Sequence, residues 1–280
     1  MCTNDNEPID ELEKIEIELL LEALYRHYGV DFRNYVFPTI RRRIWYRIRA
    51  ERLKTISGLQ EKVLHDRNTF KRLTNDFSIN VTEMFRDPSF FQAFRNKVVP
   101  LLREYPSIRI WHAGCSTGEE AYSMAILMHE EKLLAKTRIY ATDMNEAVIE
   151  EAKLESFPAE RMQQYTENYM LAGGKKSMTE YVSVSNGRAE FQPFLGGKIT
   201  FAQHNLAVDE SFNEFHVIIC RNAMIYFNTH LQNRVHELFY QSLIPSGFLG
   251  LGHKESITFT SFADCYKEME HNEKLYRKVK

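Results

Sequence analysis

The sequence predicts an α/β protein in two parts. These are an all-α N-terminal helical domain over residues 1–90 and a doubly wound α/β domain over residues 91–280, with a small antiparallel β insertion at 168–199. Three observations predict it. Up to about residue 90, apolar residues recur at helical spacing and no strand-type alternation appears. Past Pro106, short apolar runs alternate with helical patterns, which implies a mainly parallel sheet covered by helices on both faces. One stretch breaks that alternation with three glycine-bearing turn signals.

In the front part, Ile15, Ile17, Leu20, Leu21 and Leu24 mark a first helix that stops at Gly29. A second helix starts near Pro38, where proline suits the first turn, and Ile40, Ile44 and Ile48 line one apolar stripe. Arg42, Arg43, Arg47 and Arg49 lie off that stripe. Residues 57–64 and 67–77 read as two further short helices.

In the second part, strands are expected at 108–111, 138–142, 199–202, 215–220 and 247–252. Helices are expected at 119–134, 146–155 and 230–243. Between residues 168 and 199, Gly173-Gly174, Asn186-Gly187 and Gly196-Gly197 flank apolar Tyr181, Val182 and Val184, the pattern of short antiparallel strands joined by turns.

The bulk properties exclude several classes. The 280-residue chain is long enough for a substantial core. It has no apolar run near the roughly 20 residues that span a bilayer. The polar, acidic N-terminus lacks the pattern of a secretory signal. Cys2, Cys115, Cys220 and Cys265 are widely spaced, so neither a zinc site nor a disulfide framework is suggested, and a cytoplasmic protein with reduced thiols is expected. The formal net charge of -2 hides a local surplus: Arg41, Arg42, Arg43, Arg47, Arg49, Arg52 and Lys54 surround the single acid Glu51. Such a run points to an acidic partner, although it also reads as a solvated face.

Four motifs carry chemistry. From Ile110 to Ser123, a strand ends at Ala113-Gly114, a turn runs through Ser116, Thr117 and Gly118, and a helix opens at Glu119. This places a nucleotide-like ligand at a strand's carboxyl end. It is not the GxGxxG pattern, and Glu119 and Glu120 at the helix start would repel a phosphate. They suit a cationic, phosphate-free ligand, and S-adenosylmethionine, with its sulfonium and ammonium, meets that requirement. Asp143 ends the next strand; alone it reads more readily as a helix N-cap, but beside the glycine turn it is placed to accept ribose hydroxyls. The run Cys220-Arg-Asn-Ala-Met-Ile-Tyr-Phe227 delivers Arg221 and Asn222 to the same sheet edge. Taken singly, Arg221 also reads as a surface ion pair and Tyr226 as a core-edge aromatic. Upstream, Asn80, Thr82 and Arg86 sit among apolar neighbours and could cap a ligand or begin a helix.

Together these motifs closely resemble the chemotaxis receptor glutamate O-methyltransferases, the CheR family. The matching pieces occur in order over nearly the whole chain: Asn80 to Arg86, Trp111 to Ser123, Ala141 to Asp143, Asn205-Leu206, Cys220 to Phe227 and Pro245 to Glu255. His112, Cys115 and Lys254 depart from residues common in that family.

The resemblance implies a Rossmann-like class I methyltransferase fold behind a small helical domain. It also implies S-adenosylmethionine as methyl donor (with S-adenosylhomocysteine as product) and glutamate side chains on the cytoplasmic helices of methyl-accepting chemoreceptors as acceptors. By position it implies cofactor contacts from Asn80, Thr82, Arg86, Ala113, Glu120, Asp143, Asn205, Leu206, Arg221 and Asn222. Arg86 and Tyr226 would be catalytic, with Arg86 or Arg221 orienting the acceptor carboxylate. Arg41, Arg42, Arg43, Arg47 and Arg49 would dock the receptor. A monomer is expected, with no nucleic acid bound, no membrane insertion and no metal. Two other readings stay open: a methyltransferase of another substrate, and a non-catalytic cofactor-binding module that docks on receptors.

Overall fold

The computed structural model describes residues 10–78, 82–258 and 260–280. They form two compact units, one of 10–78 with Tyr226–Gln232 and one of 82–225 with 233–280. The first unit therefore ends earlier than residue 90 and recruits a segment from far along the chain.

The helical unit holds α1 (Glu11–Tyr28), α2 (Phe37–Ala50), α3 (Ile56–His65) and α4 (Arg67–Phe77). Asp10 caps α1 by accepting from Leu12 N, and Gly29 ends it in the left-handed conformation. Pro38 sits in the first turn of α2, and Ile40, Ile44 and Ile48 are fully buried. Thr55 and Asp66 cap α3 and α4. The late segment closes this unit: Tyr226 O accepts from Val36 N at 2.8 Å, Asn228 N donates to Asn34 O at 2.8 Å, and the Phe227 ring meets Tyr35 edge-on at 5.0 Å.

The arginines of α2 divide by function within this unit. Arg47, only 11% exposed, donates to both Asp76 oxygens at 2.7 and 2.9 Å and to Glu51 at 3.3 Å. Arg41 donates to Glu13 at 2.7 Å. Charge-assisted, paired hydrogen bonds are worth about 1.5–3 kcal/mol. Arg47→Ala should therefore lower stability by about 2 kcal/mol in a denaturant titration, whereas Arg42→Ala on the exposed side should shift it by less than about 0.5 kcal/mol.

The second unit opens with α5 (Pro88–Lys97) and α6 (Val99–Leu102), then β1 (Ile108–Ala113), α7 (Glu119–Glu130), β2 (Thr137–Asp143) and α8 (Glu146–Ala152). Next come β3 (Ser156–Pro158), α9 (Met162–Leu171), β4 (Val182–Ser185), β5 (Arg188–Phe191) and α10 (Pro193–Gly196). The chain ends with β6 (Ile199–Gln203), β7 (Phe215–Cys220), α11 (Thr229–Ser242), β8 (Leu243–Leu251), β9 (Tyr266–Glu270) and β10 (Leu275–Lys278).

The main sheet has the order β6-β2-β1-β7-β8-β10-β9. Its first five strands are parallel, and β10 runs antiparallel to β8 and β9. From β1 the chain moves outward to β2 and β6, then returns to β7 on the other side of β1. That reversal makes the carboxyl ends of β1 and β7 the topological switch point, where open α/β sheets bind ligands.

The insertion is a three-stranded antiparallel sheet, β3-β5-β4, and it starts at Ser156, before the expected 168. Asn186-Gly187 is its hairpin turn, as the pattern suggests. Gly173-Gly174 instead ends α9, and Gly196-Gly197 ends α10. The insertion is fastened to α7: Phe191 stacks on Tyr122 at 3.7 Å, and Glu130 accepts from the Tyr169 and Tyr181 hydroxyls at 2.5 and 3.2 Å.

Candidate functional site

The carboxyl edge of the main sheet collects most of the residues that the sequence singles out. β1 ends at Ala113, and the chain turns at once through Gly114. Gly114 and Cys115 both donate to Thr142 O, at 2.8 and 2.9 Å, which ties the turn to β2. Gly114 has φ +82°, and a Cβ there would lie 2.9 Å from the Ala223 methyl, so the turn needs glycine to pass the loop after β7.

Asp143, at the end of β2, organises the turn. Its Oδ2 accepts from Ser116 N and its Oδ1 from Asn145 N, both at 3.0 Å. Burial pushes its pKa up, and these backbone donors oppose that rise. Asp143 O also accepts from His204 N at 3.0 Å, which draws Asn205 and Leu206 alongside. The Asn205 side-chain oxygen is used by Ala207 N at 3.0 Å, and Leu206 is buried.

The two acids at the start of α7 diverge. Glu119 is buried and accepts from Thr117 Oγ1 at 2.6 Å, facing Tyr165 and Arg161 at 3.4 and 3.5 Å. Glu120 turns to the sheet edge. Its Oε2 accepts from Arg221 Nη1 at 2.7 Å, and its Oε1 lies 3.0 Å from His112 Nδ1. Burial raises the Glu120 pKa, but the Arg221 charge and the His112 contact outweigh it and bring it down to about 2.

Arg221 is the hub of this edge. Its guanidinium is 1% exposed and lies over the Phe90 ring at 4.4 Å. Nη2 donates to Asp87 at 2.5 Å and Nη1 also donates to Arg86 O at 3.1 Å. The linker segment is further pinned where Phe85 N donates to Ser123 Oγ at 2.8 Å. Arg221 is thus committed to Glu120 and Asp87. Its Nε is buried and has no hydrogen-bond partner among the described residues.

Glu120, Ala113, Asp143, Asn205, Leu206, Arg221 and Asn222 all lie along strand ends or the turn beside them, and Arg86 joins through its carbonyl. Thr82 lies five residues before Asp87 in that linker. Asn80 falls outside the described residues. Tyr226 ends a short 3-10 turn, and its carbonyl binds Val36 in the helical unit. The docking set narrows: Arg41 and Arg47 hold the helical unit together. Arg42 and Arg49 are exposed on one face of α2 with Tyr46 between them, while Arg43 is half-buried.

Sequence reasoning gave no role to Asp87, His112 or Glu255. Asp87 directly follows the matched Asn80 to Arg86 segment, and nothing local marks its distant partner. His112 stood out only as a large residue in the turn. Glu255 belonged to a matched motif without an assigned task.

The residues fit S-adenosylmethionine on chemical grounds. The Asp143 carboxylate accepts backbone hydrogen bonds from Ser116, Met144 and Asn145, and its remaining acceptor capacity suits a ligand hydroxyl. Ser116 Oγ is buried beside Asp143 and has no partner among the described residues. Glu120, Asp87 and Arg221 together carry one net negative charge, which favours a cationic ligand.

A family model described as "CheR methyltransferase, SAM binding domain" matches residues 80–274, and one described as "CheR methyltransferase, all-alpha domain" matches residues 15–78. A Pseudomonas putida protein provisionally named methyltransferase Cher3 is 48% identical over 94% of this chain and 97% of its own length. The chemotaxis protein methyltransferase of Listeria monocytogenes is 27% identical over 89% of this chain and 92% of its own. Chemotaxis protein methyltransferase 2 of Pseudomonas aeruginosa is 28% identical, with 88% of each chain covered.

Proposed function

Because the chain belongs to the CheR methyltransferase family, with S-adenosylmethionine as its cofactor, we propose that it esterifies glutamate side chains on the cytoplasmic helices of methyl-accepting chemoreceptors. It would do so in the cytoplasm, as part of signalling adaptation. The observation that carries the choice of acceptor is the exposed face of α2. Arg42 and Arg49 flank Tyr46, which is 52% exposed, and neither arginine has an ion-pair partner among the described residues. Such a face suits an acidic helix.

The acceptor is ionised near neutral pH, so the chain needs no general base. When bound, the cofactor supplies an electrophilic sulfonium methyl. The task of the protein is alignment and exclusion of water. Asp143 holds the ribose, and Glu120 attracts the ammonium while Arg221 fixes its orientation. Asn205, Leu206 and Asn222 would flank the remainder, with Thr82 contributing from the linker. Arg86 or Arg221 would orient the acceptor carboxylate, and Tyr226 would shape the pocket.

Arg42→Glu combined with Arg49→Glu should lower methylation of receptor cytoplasmic fragments roughly tenfold and weaken its salt dependence, with unchanged cofactor affinity. Tritiated methyl released by mild base identifies the ester. Base-stable label, or transfer to RNA at an equal rate, would refute the glutamate reading.

A further inference from the structure

Where the chain leaves β7 it has backbone donors without a ladder. β7 ends at Cys220, and beyond it the N–H groups of Asn222 and Met224 lie outside the strand pairing. The N–H of Gly252 is in the same position after β8. All three converge on one side chain. Glu255 Oε2 accepts from Gly252 N at 2.7 Å and from Asn222 N at 2.9 Å, and Oε1 accepts from Met224 N at 2.8 Å. Glu255 is 5% exposed, and its charge is held by backbone donors rather than by a cation.

The packing leaves no slack. A Cβ on Gly252 would lie 2.7 Å from Glu255 Oε2 and 2.9 Å from Asn222 N. Asn222 has φ 61°, a left-handed conformation that costs an L-residue about 1 kcal/mol and needs local support. The two hydrogen bonds that bracket it, at its own N–H and at Met224, provide that support. An apolar residue at 255 would bury three unpaired donors, and a neutral amide would set its NH2 against at least one of them.

We infer that Glu255 is a positioning residue of the cofactor site: its carboxylate fixes the left-handed turn at Asn222 and thereby sets cofactor affinity without touching the cofactor. The inference rests on the proposed contact between Asn222 and the cofactor.

A double-variant cycle on the full chain tests it. Titration calorimetry with S-adenosylhomocysteine would compare Glu255→Gln, Asn222→Ala and the two combined, with the melting temperature of each ligand-free variant measured alongside. Each single change should raise Kd roughly tenfold. The combination should bind no more weakly than the weaker single variant, because both act through one turn. Should Glu255→Gln fail to fold, Glu255→Asp, still ionised but one methylene shorter, carries the same comparison. A lowered melting temperature with wild-type Kd would overturn the inference, as would fully additive losses. Unchanged Kd in Asn222→Ala would remove the contact at Asn222 itself, and the inference with it.

Discussion

Asp143→Ala should weaken S-adenosylmethionine binding about a hundredfold or more in a calorimetric titration. Two hydroxyl bonds to a carboxylate, each worth about 1.5–3 kcal/mol, exceed the roughly 2.7 kcal/mol that a hundredfold requires. The substitution also removes the acceptors for Ser116 N and Asn145 N, so the turn after β1 loosens as well. Asp143→Asn separates the two effects. It keeps the shape and one oxygen, so the turn should largely survive while the second hydroxyl loses its acceptor. If Asp143→Ala bound the cofactor like wild type, the ribose assignment would fail.

Arg221→Ala should destabilise the methyltransferase unit by about 3 kcal/mol, because it leaves the largely buried Glu120 carboxylate without its cation and breaks the pair with the more exposed Asp87. The loss is read as a shift in the denaturant midpoint at neutral pH. Its pH dependence is a second signature. The Glu120 pKa is depressed to about 2 in the intact protein, so its contribution is complete above the ordinary carboxylate value and fades only as pH falls toward 2. Without Arg221, a buried Glu120 protonates far more readily. The gap between variant and wild type should therefore shrink as pH drops from 7 toward 4. A constant gap over that range would show that Glu120 does not depend on Arg221.

Local features were readable in the sequence because their causes are local. The turn from Ala113 to Glu119 is set by glycines a few residues apart, and the isoleucine stripe of α2 by helical periodicity. What escaped depends on partners far along the chain. Arg221 meets Glu120 and Asp87 across 101 and 134 residues, and Glu255 reaches back 31 to 33 residues to the loop it holds. The surplus of arginine in α2 was visible, but Glu13 and Asp76, which take Arg41 and Arg47, are 28 and 29 residues away. β9 was missed because Tyr-Lys-Glu-Met-Glu at a sheet edge carries mostly polar side chains. Paired glycines misled in the insertion, since a helix end and a hairpin turn both favour them.

The closure of the helical unit by Tyr226–Gln232 bears on how the protein is made. During translation the nascent front of the chain emerges roughly 150 residues before that segment, a delay on the order of ten seconds at ribosomal speed. Over that interval the partners of Val36 and Asn34 have not been synthesised. A chimaera that exchanged only the first 79 residues with a relative would bring together two ancestries at this joint, and residues 226–232 would have to travel with them.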